Sequence, residues 1–195
     1  MTNVYIAIGI LVAVVLLYLL FQNGKKASLK KVVWYNNWAL KMRLAHSSEK
    51  YLMAQLNTVS GKLEGCDVKI FEKITGSNNK SQYLHTFIQF EPSPFNFEFD
   101  ISRKSSGGIS NFEVGEASID DLFIFVTNDA DKFRNLLNSE VINNLKLANA
   151  YLGTGISADA EKFEHYFMGG LRKEEQTEEL EALLNVMTAL IKANK

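Results

Sequence analysis

Apolar and polar positions alternate along this chain with three different periods, and each period predicts its own kind of element. Residues 4–21 read VYIAIGILVAVVLLYLLF, eighteen positions without a charge. A helix of that length spans about 27 Å at ~1.5 Å per residue, close to the thickness of a hydrocarbon core. Tyr5 and Tyr18 stand toward its two ends, where amphipathic rings favour an interface. The run predicts an uncleaved transmembrane helix. A signal peptide would open on basic residues and close on a small-residue cleavage site. Here only Met1, Thr2 and Asn3 precede the run, and Gln22-Asn23-Gly24-Lys25-Lys26 follow it.

A helical period comes next. Over residues 28–45, Trp34, Trp38, Met42 and Ala45 form a one-sided stripe. Packing of that stripe on the domain's own core is favoured over a place on a membrane surface. His46-Ser47-Ser48 breaks the pattern.

From Tyr51 the period is two. Residues 58–64 and 66–74 predict a hairpin turning at Glu64-Gly65, with Val68, Ile70 and Lys73 grouped on one face against Lys69 and Phe71. A loop covers 76–81, and 83–90 is a strand with both faces partly apolar. Residues 95–101 alternate most cleanly: Phe95, Phe97, Phe99 and Ile101 against Asn96, Glu98 and Asp100. Further strands are expected over 112–117 and 121–127, the second apolar on both faces and therefore central.

The helical period then returns. Asn128 caps one helix, Ser139 starts another with Val141, Ile142, Leu145 and Leu147-Ala148 inward, and Gly153 to Gly155 end it. Residues 156–168 fit a helix as well as a hairpin; the alternation of Phe163, His165 and Phe167 against Glu164, Tyr166 and Met168 favours the hairpin, with its turn at Asp159-Ala160. The last helix buries Leu180, Leu183, Leu184, Met187, Leu190 and Ile191. Its Glu174, Glu175, Glu178 and Glu179 lie early and Lys192 and Lys195 late, as a helix dipole favours. The expected fold class is α+β: an N-terminal transmembrane helix, then an antiparallel β-sheet packed with helices mainly on one face. The division is 1–23 for the anchor, 24–47 for a basic juxtamembrane helix and 48–195 for the globular domain.

Charge adds a direction. Between Lys25 and Lys50 stand seven basic residues and one acidic residue, a stretch of +6 that leaves −7 for the rest of a chain whose net charge is −1. Lys25, Lys26, Lys30 and Lys31 follow the apolar run and no basic side chain precedes it, so the positive-inside rule places the domain in the cytoplasm and the N-terminus outside. The same four lysines suit anionic lipid. The acidic remainder argues against nucleic acid. One cysteine, Cys66, cannot form an internal disulfide.

Candidate chemistry is sparse. His46, His85 and His165 lack a second ligand at zinc spacing. Glu98 and Asp100 share the polar face of one strand, a pair able to divide acid and base roles if their pKa values split, but a solvated face is the more ordinary reading. Gly107-Gly108 and Gly153-Thr154-Gly155 lack the lysine and helix of a phosphate loop. No catalytic, cofactor or metal residue is assigned. Phe87, Phe90, Phe95, Phe97, Phe99, Phe112, Phe123 and Phe125 supply a large apolar volume that fills a core or lines an apolar-ligand cavity.

The order of a membrane segment, W-x3-W-A at 34–39, the 60–65 hairpin, the 83–90 strand, Gly115 to Val126, Leu136-Leu137, Gly169-Gly170-Leu171 and a terminal leucine helix resembles uncharacterised bacterial membrane-tethered proteins with domains of unknown function. The resemblance implies a bacterial origin and the 156–168 hairpin, and carries no catalytic residues. The expected function is a non-enzymatic protein-interaction or scaffold domain, single-pass at the bacterial inner membrane, with an unknown protein partner. An apolar-ligand or lipid-binding domain is the alternative. A hydrolase using Glu98, Asp100 or His85 comes third.

Overall fold

The computed structural model describes residues 2–51, 54–76, 82–106, 108–169 and 176–195, with the side chains of 2–11, 54 and 106 outside that description. The predicted 76–81 loop therefore lies almost entirely outside the described residues, as do Glu174 and Glu175.

The chain begins with one 40-residue helix, α1 (Thr2–Lys41). It runs through the lysines without a break and ends by burying Tyr35, Trp38 and Ala39 against the core. The stripe thus packs on the domain: Trp38 is buried, Trp34 and Met42 lie half-buried against the core, and Tyr35 and Ala39 join them. Ala45 is already in the first strand. The transmembrane reading is overturned. Among the described residues no helix is long and apolar enough to cross a membrane. The signal-anchor, single-pass and inner-membrane readings, with an outside N-terminus, fall with it.

Eight strands form one wholly antiparallel sheet in the order β1-β2-β3-β4-β8-β7-β5-β6. They are β1 (Ala45–Tyr51), β2 (Ala54–Leu63), β3 (Cys66–Thr75), β4 (Tyr83–Phe90), β5 (Phe99–Arg103), β6 (Phe123–Thr127), β7 (Ile156–Ala158) and β8 (Phe163–Met168). The helices after α1 are α2 (Ala117–Asp120), α3 (Ala130–Leu136), α4 (Ser139–Ala148) and α5 (Gln176–Ala193). The β2–β3 turn is the expected one: Glu64 and Gly65 have φ of 51° and 81°, the paired positive values of a two-residue hairpin turn. The 156–168 hairpin also forms. Asp159 Oδ1 accepts from the amides of Glu161 and Lys162, each at 2.8 Å, and so closes its turn. This hairpin inserts between β4 and β5, a long-range pairing that joins the two halves of the sheet.

Several elements depart from the sequence reading. His46 to Ser48 continue in a strand, β1, instead of breaking the chain. Phe95 and Phe97 are buried, but the strand starts only at Phe99; their rings join an aromatic cluster, Phe95 lying 4.9 Å from both Phe99 and Phe163. The strand expected over 112–117 is a single bridge from Phe112 to Phe125. There the Asp120 carboxylate accepts from the Val114 and Gly115 amides and holds a loop. β6 is an edge strand, not a central one. Its outer edge is satisfied by Asn111, which accepts from Thr127 N at 2.9 Å and donates to Thr127 O at 3.0 Å. Asn128 does not cap α3: its Oδ1 accepts from Glu98 N, and Asp129 is the cap. Leu147 is exposed while Val141, Leu145 and Ala148 are buried.

Asn138 Oδ1 accepts from Val141 N at 3.0 Å and starts α4. Asn138→Ala should cost about 1 kcal/mol of stability by removing that acceptor, measurable by urea denaturation. α5 buries all six residues expected of it, packs on α4, and carries Glu181 to Trp38 and Lys41 of α1. One sheet face is therefore the core face. Val68, Ile70, Thr86, Ile88, Phe90, Phe99, Ile101, Phe163 and Phe167 are all buried on it.

Candidate functional site

The alternation that buries one face presents the other. Phe71 of β3 pairs with Phe87 of β4, and Phe87 with Tyr166 of β8, so three aromatic side chains stand in one row across three strands. Their rings stack in sequence, 5.2 Å at 11° and 5.6 Å at 27°. The adjoining row pairs Lys73 with His85 and His85 with Met168. Tyr166 is 40% exposed and Met168 67%. Phe71 and Phe87 are half-buried, so this face carries an apolar stripe that meets water mainly at its β8 end, through Tyr166 and Met168. The His85 ring lies edge-on to Tyr166 at 5.9 Å, and its Nδ1 is 2.7 Å from Thr75 Oγ1.

The aromatic residues singled out from sequence divide accordingly. Phe90, Phe95, Phe97, Phe99, Phe112, Phe123 and Phe125 are buried core, and Phe87 alone of that set belongs to the outer face. Of these, Phe99 also lines a groove. Two grooves open to solvent, one of about 530 Å³ at Asp67, Lys69, Gln89, Glu91, Pro92 and Glu161, the other of about 390 Å³.

The second groove is lined by Glu98 and Asp100, with Asp159 and Asn128. Burial pushes the Asp100 carboxyl above its ordinary value, against a hydrogen bond from Ser102. His85 does not line this groove, so the three residues of the hydrolase reading are not brought together. Nor do His85 and His165 share a face: His165 points into the core with Phe163 and Phe167. Its Nδ1 donates to Gly155 O at 2.6 Å, Nε2 has no partner, and burial lowers its pKa to about 4.

A buried polar cluster, unforeseen from the sequence, holds α1 to the sheet. Glu72 occupies the core face of β3, where Lys73 had been the candidate. Its side chain is fully buried, with Lys31 Nζ at 2.5 Å from Oε1 and the backbone and side-chain nitrogens of Asn57 donating to Oε2 at 3.0 and 2.9 Å. Asn57 Oδ1 reaches His46 Nε2 at 3.1 Å. Burial, and after it the nearby Glu72 charge, raise the Tyr35 phenol well above its ordinary pKa. Lys31 is thus an interior residue, while Lys25, Lys26 and Lys30 remain exposed. A glutamate whose partners are an asparagine 15 residues and a lysine 41 residues earlier carries no sequence signature beyond its place in the β3 alternation.

No protein-family model and no curated protein matches this chain. Among solved structures, the mycobacterial trehalose monomycolate transport factor A, TtfA, is similar at a TM-score of 0.51 and 13% identity, over 81% of this chain and 92% of that one. The likeness is one of fold.

Proposed function

We propose that this is a non-enzymatic domain that binds an apolar, lipid-class ligand on the outer face of its sheet. The row of half-buried Phe71 and Phe87 with exposed Tyr166 and Met168 is the observation that carries the reading. Burying stacked rings and a thioether against an acyl chain gains ~25 cal/mol per Å² of apolar surface. The alternative fold-filling use of aromatic residues is already met by the buried set. The likeness in fold to a trehalose monomycolate transport factor supports a ligand of this class.

The test is titration of the full chain with dodecanoate. Phe87→Ser should weaken binding about tenfold or more, equivalent to ~1.4 kcal/mol, and Tyr166→Ser, at a more exposed position, should act in the same direction. Equal affinity in both variants would remove the outer face from the reading.

The α1 segment from Val12 to Phe21 favours a second reading, a protein partner. Val14, Val15, Leu17, Leu19, Leu20 and Phe21 are all exposed, and such a surface fits another apolar helix.

A further inference from the structure

We infer that the ligand of the outer sheet face is an anionic amphiphile whose headgroup is held at Lys73, beside His85, while its chain crosses Phe71, Phe87 and Tyr166. The inference rests on the apolar-ligand reading and names the chemistry of the other end of that ligand.

Charge on this face supports it. The central carboxylates are already paired: Asp67 with Lys62 at 3.0 Å and Glu164 with Lys162 at 2.5 Å. Glu49 lies out on the edge strand β1. Lys73 is exposed and, among the described residues, has no carboxylate partner. It sits in register with His85, whose Nε2 is left without a protein partner among the described residues once Nδ1 meets Thr75. An unpaired ammonium and an imidazole nitrogen at the margin of that aromatic row match an anion carried on an apolar chain.

Lys69, on the opposite side of Phe71 along β3, is a poorer headgroup site. Its ammonium already lies 5.0 Å over the Phe71 ring, and its groove also holds Glu91 and Glu161, which repel an anion. A second copy of the chain is a poorer occupant too. Two such faces set together about a two-fold axis oppose equivalent patches, and the unpaired charges on the face centre are both lysines.

The experiment compares dodecanoate, dodecyl maltoside and hexaglutamate on the full chain. The wild type should bind dodecanoate at least tenfold more tightly than dodecyl maltoside and should not bind hexaglutamate. Lys73→Gln should erase the preference while keeping the maltoside affinity, and Lys69→Gln should keep it. Equal wild-type affinity for the two amphiphiles overturns the headgroup site but leaves the apolar-ligand reading standing. Failure of both amphiphiles to bind overturns both, and binding of hexaglutamate alone replaces the lipid by an acidic peptide.

Discussion

Lys31→Met should destabilise the folded chain by about 3–5 kcal/mol, the range for removing one partner of a buried ion pair. Lys31 is 18% exposed and Glu72 not at all, so the two sides of the pair are unequal. Without the lysine, the Glu72 carboxylate stays between α1 and the sheet with only the Asn57 donors on Oε2. Glu72→Gln removes the deeper charge, and Lys31 can then swing toward water. That variant should cost less, about 1–3 kcal/mol, the range for an unsatisfied polar group. Joining the two should cost less than their sum, because the double variant leaves no orphaned ion. Urea denaturation of the three proteins at neutral pH measures all three values. A Lys31→Met loss below 1 kcal/mol would mean that α1 is not anchored by this pair.

His165 should make the protein acid-sensitive well above the carboxylate range. Its folded pKa is lowered to about 4 because burial disfavours the imidazolium, with the Gly155 carbonyl opposing weakly. In the unfolded chain the ring takes its proton near pH 6.5. Between those values the unfolded state binds the extra proton, so stability is complete above about pH 6.5 and is lost as pH falls toward 4. At ~1.36 kcal/mol per unit the whole effect approaches roughly 3 kcal/mol, with about 2 kcal/mol of it appearing between pH 7 and 5. Urea midpoints across that interval should fall in the wild type and stay nearly level in His165→Gln. A flat wild-type profile would place the ring in contact with water.

What the sequence made legible follows from how local each signal is. The turn at Glu64-Gly65, the period of α5, the strand at 83–90 and the alternation in β8 are set by neighbours two to four residues apart. They came through with their boundaries nearly intact. The wrong placements depended on distant partners. β6 is apolar on both faces, which suggested the middle of a sheet, yet Ser110 and Asn111 cover its edge from outside the strand. Phe95 and Phe97 alternate correctly but meet rings instead of a neighbouring strand. The apolar run of α1 was read by itself, whereas the structure continues it through Lys31 into the Glu72 pair.

The candidate site was half visible. Phe71 was placed opposite Val68 and Ile70, and 83–90 was seen to be apolar on both faces, which marks Phe87 as something other than core. Tyr166 and Met168 stood opposite Phe163 and Phe167 in the last hairpin. That β8 lies against β4, bringing Tyr166 onto Phe87, is a pairing across about eighty residues with no local trace. An apolar-ligand domain was therefore foreseeable as a chamber lined by phenylalanines. The structure buries seven of those eight rings and puts Phe87, with Phe71 and Tyr166, on the opposite face.

Photolabelling of the full chain with a diazirine-bearing dodecanoate, followed by peptide mapping, tests this most directly. The outer-face account predicts label on β3, β4 and β8, at Phe71, Phe87, Tyr166 and Met168, and its loss on competition with unlabelled dodecanoate. Label confined to Val12 through Phe21 of α1, with the three strands unmodified, would contradict it.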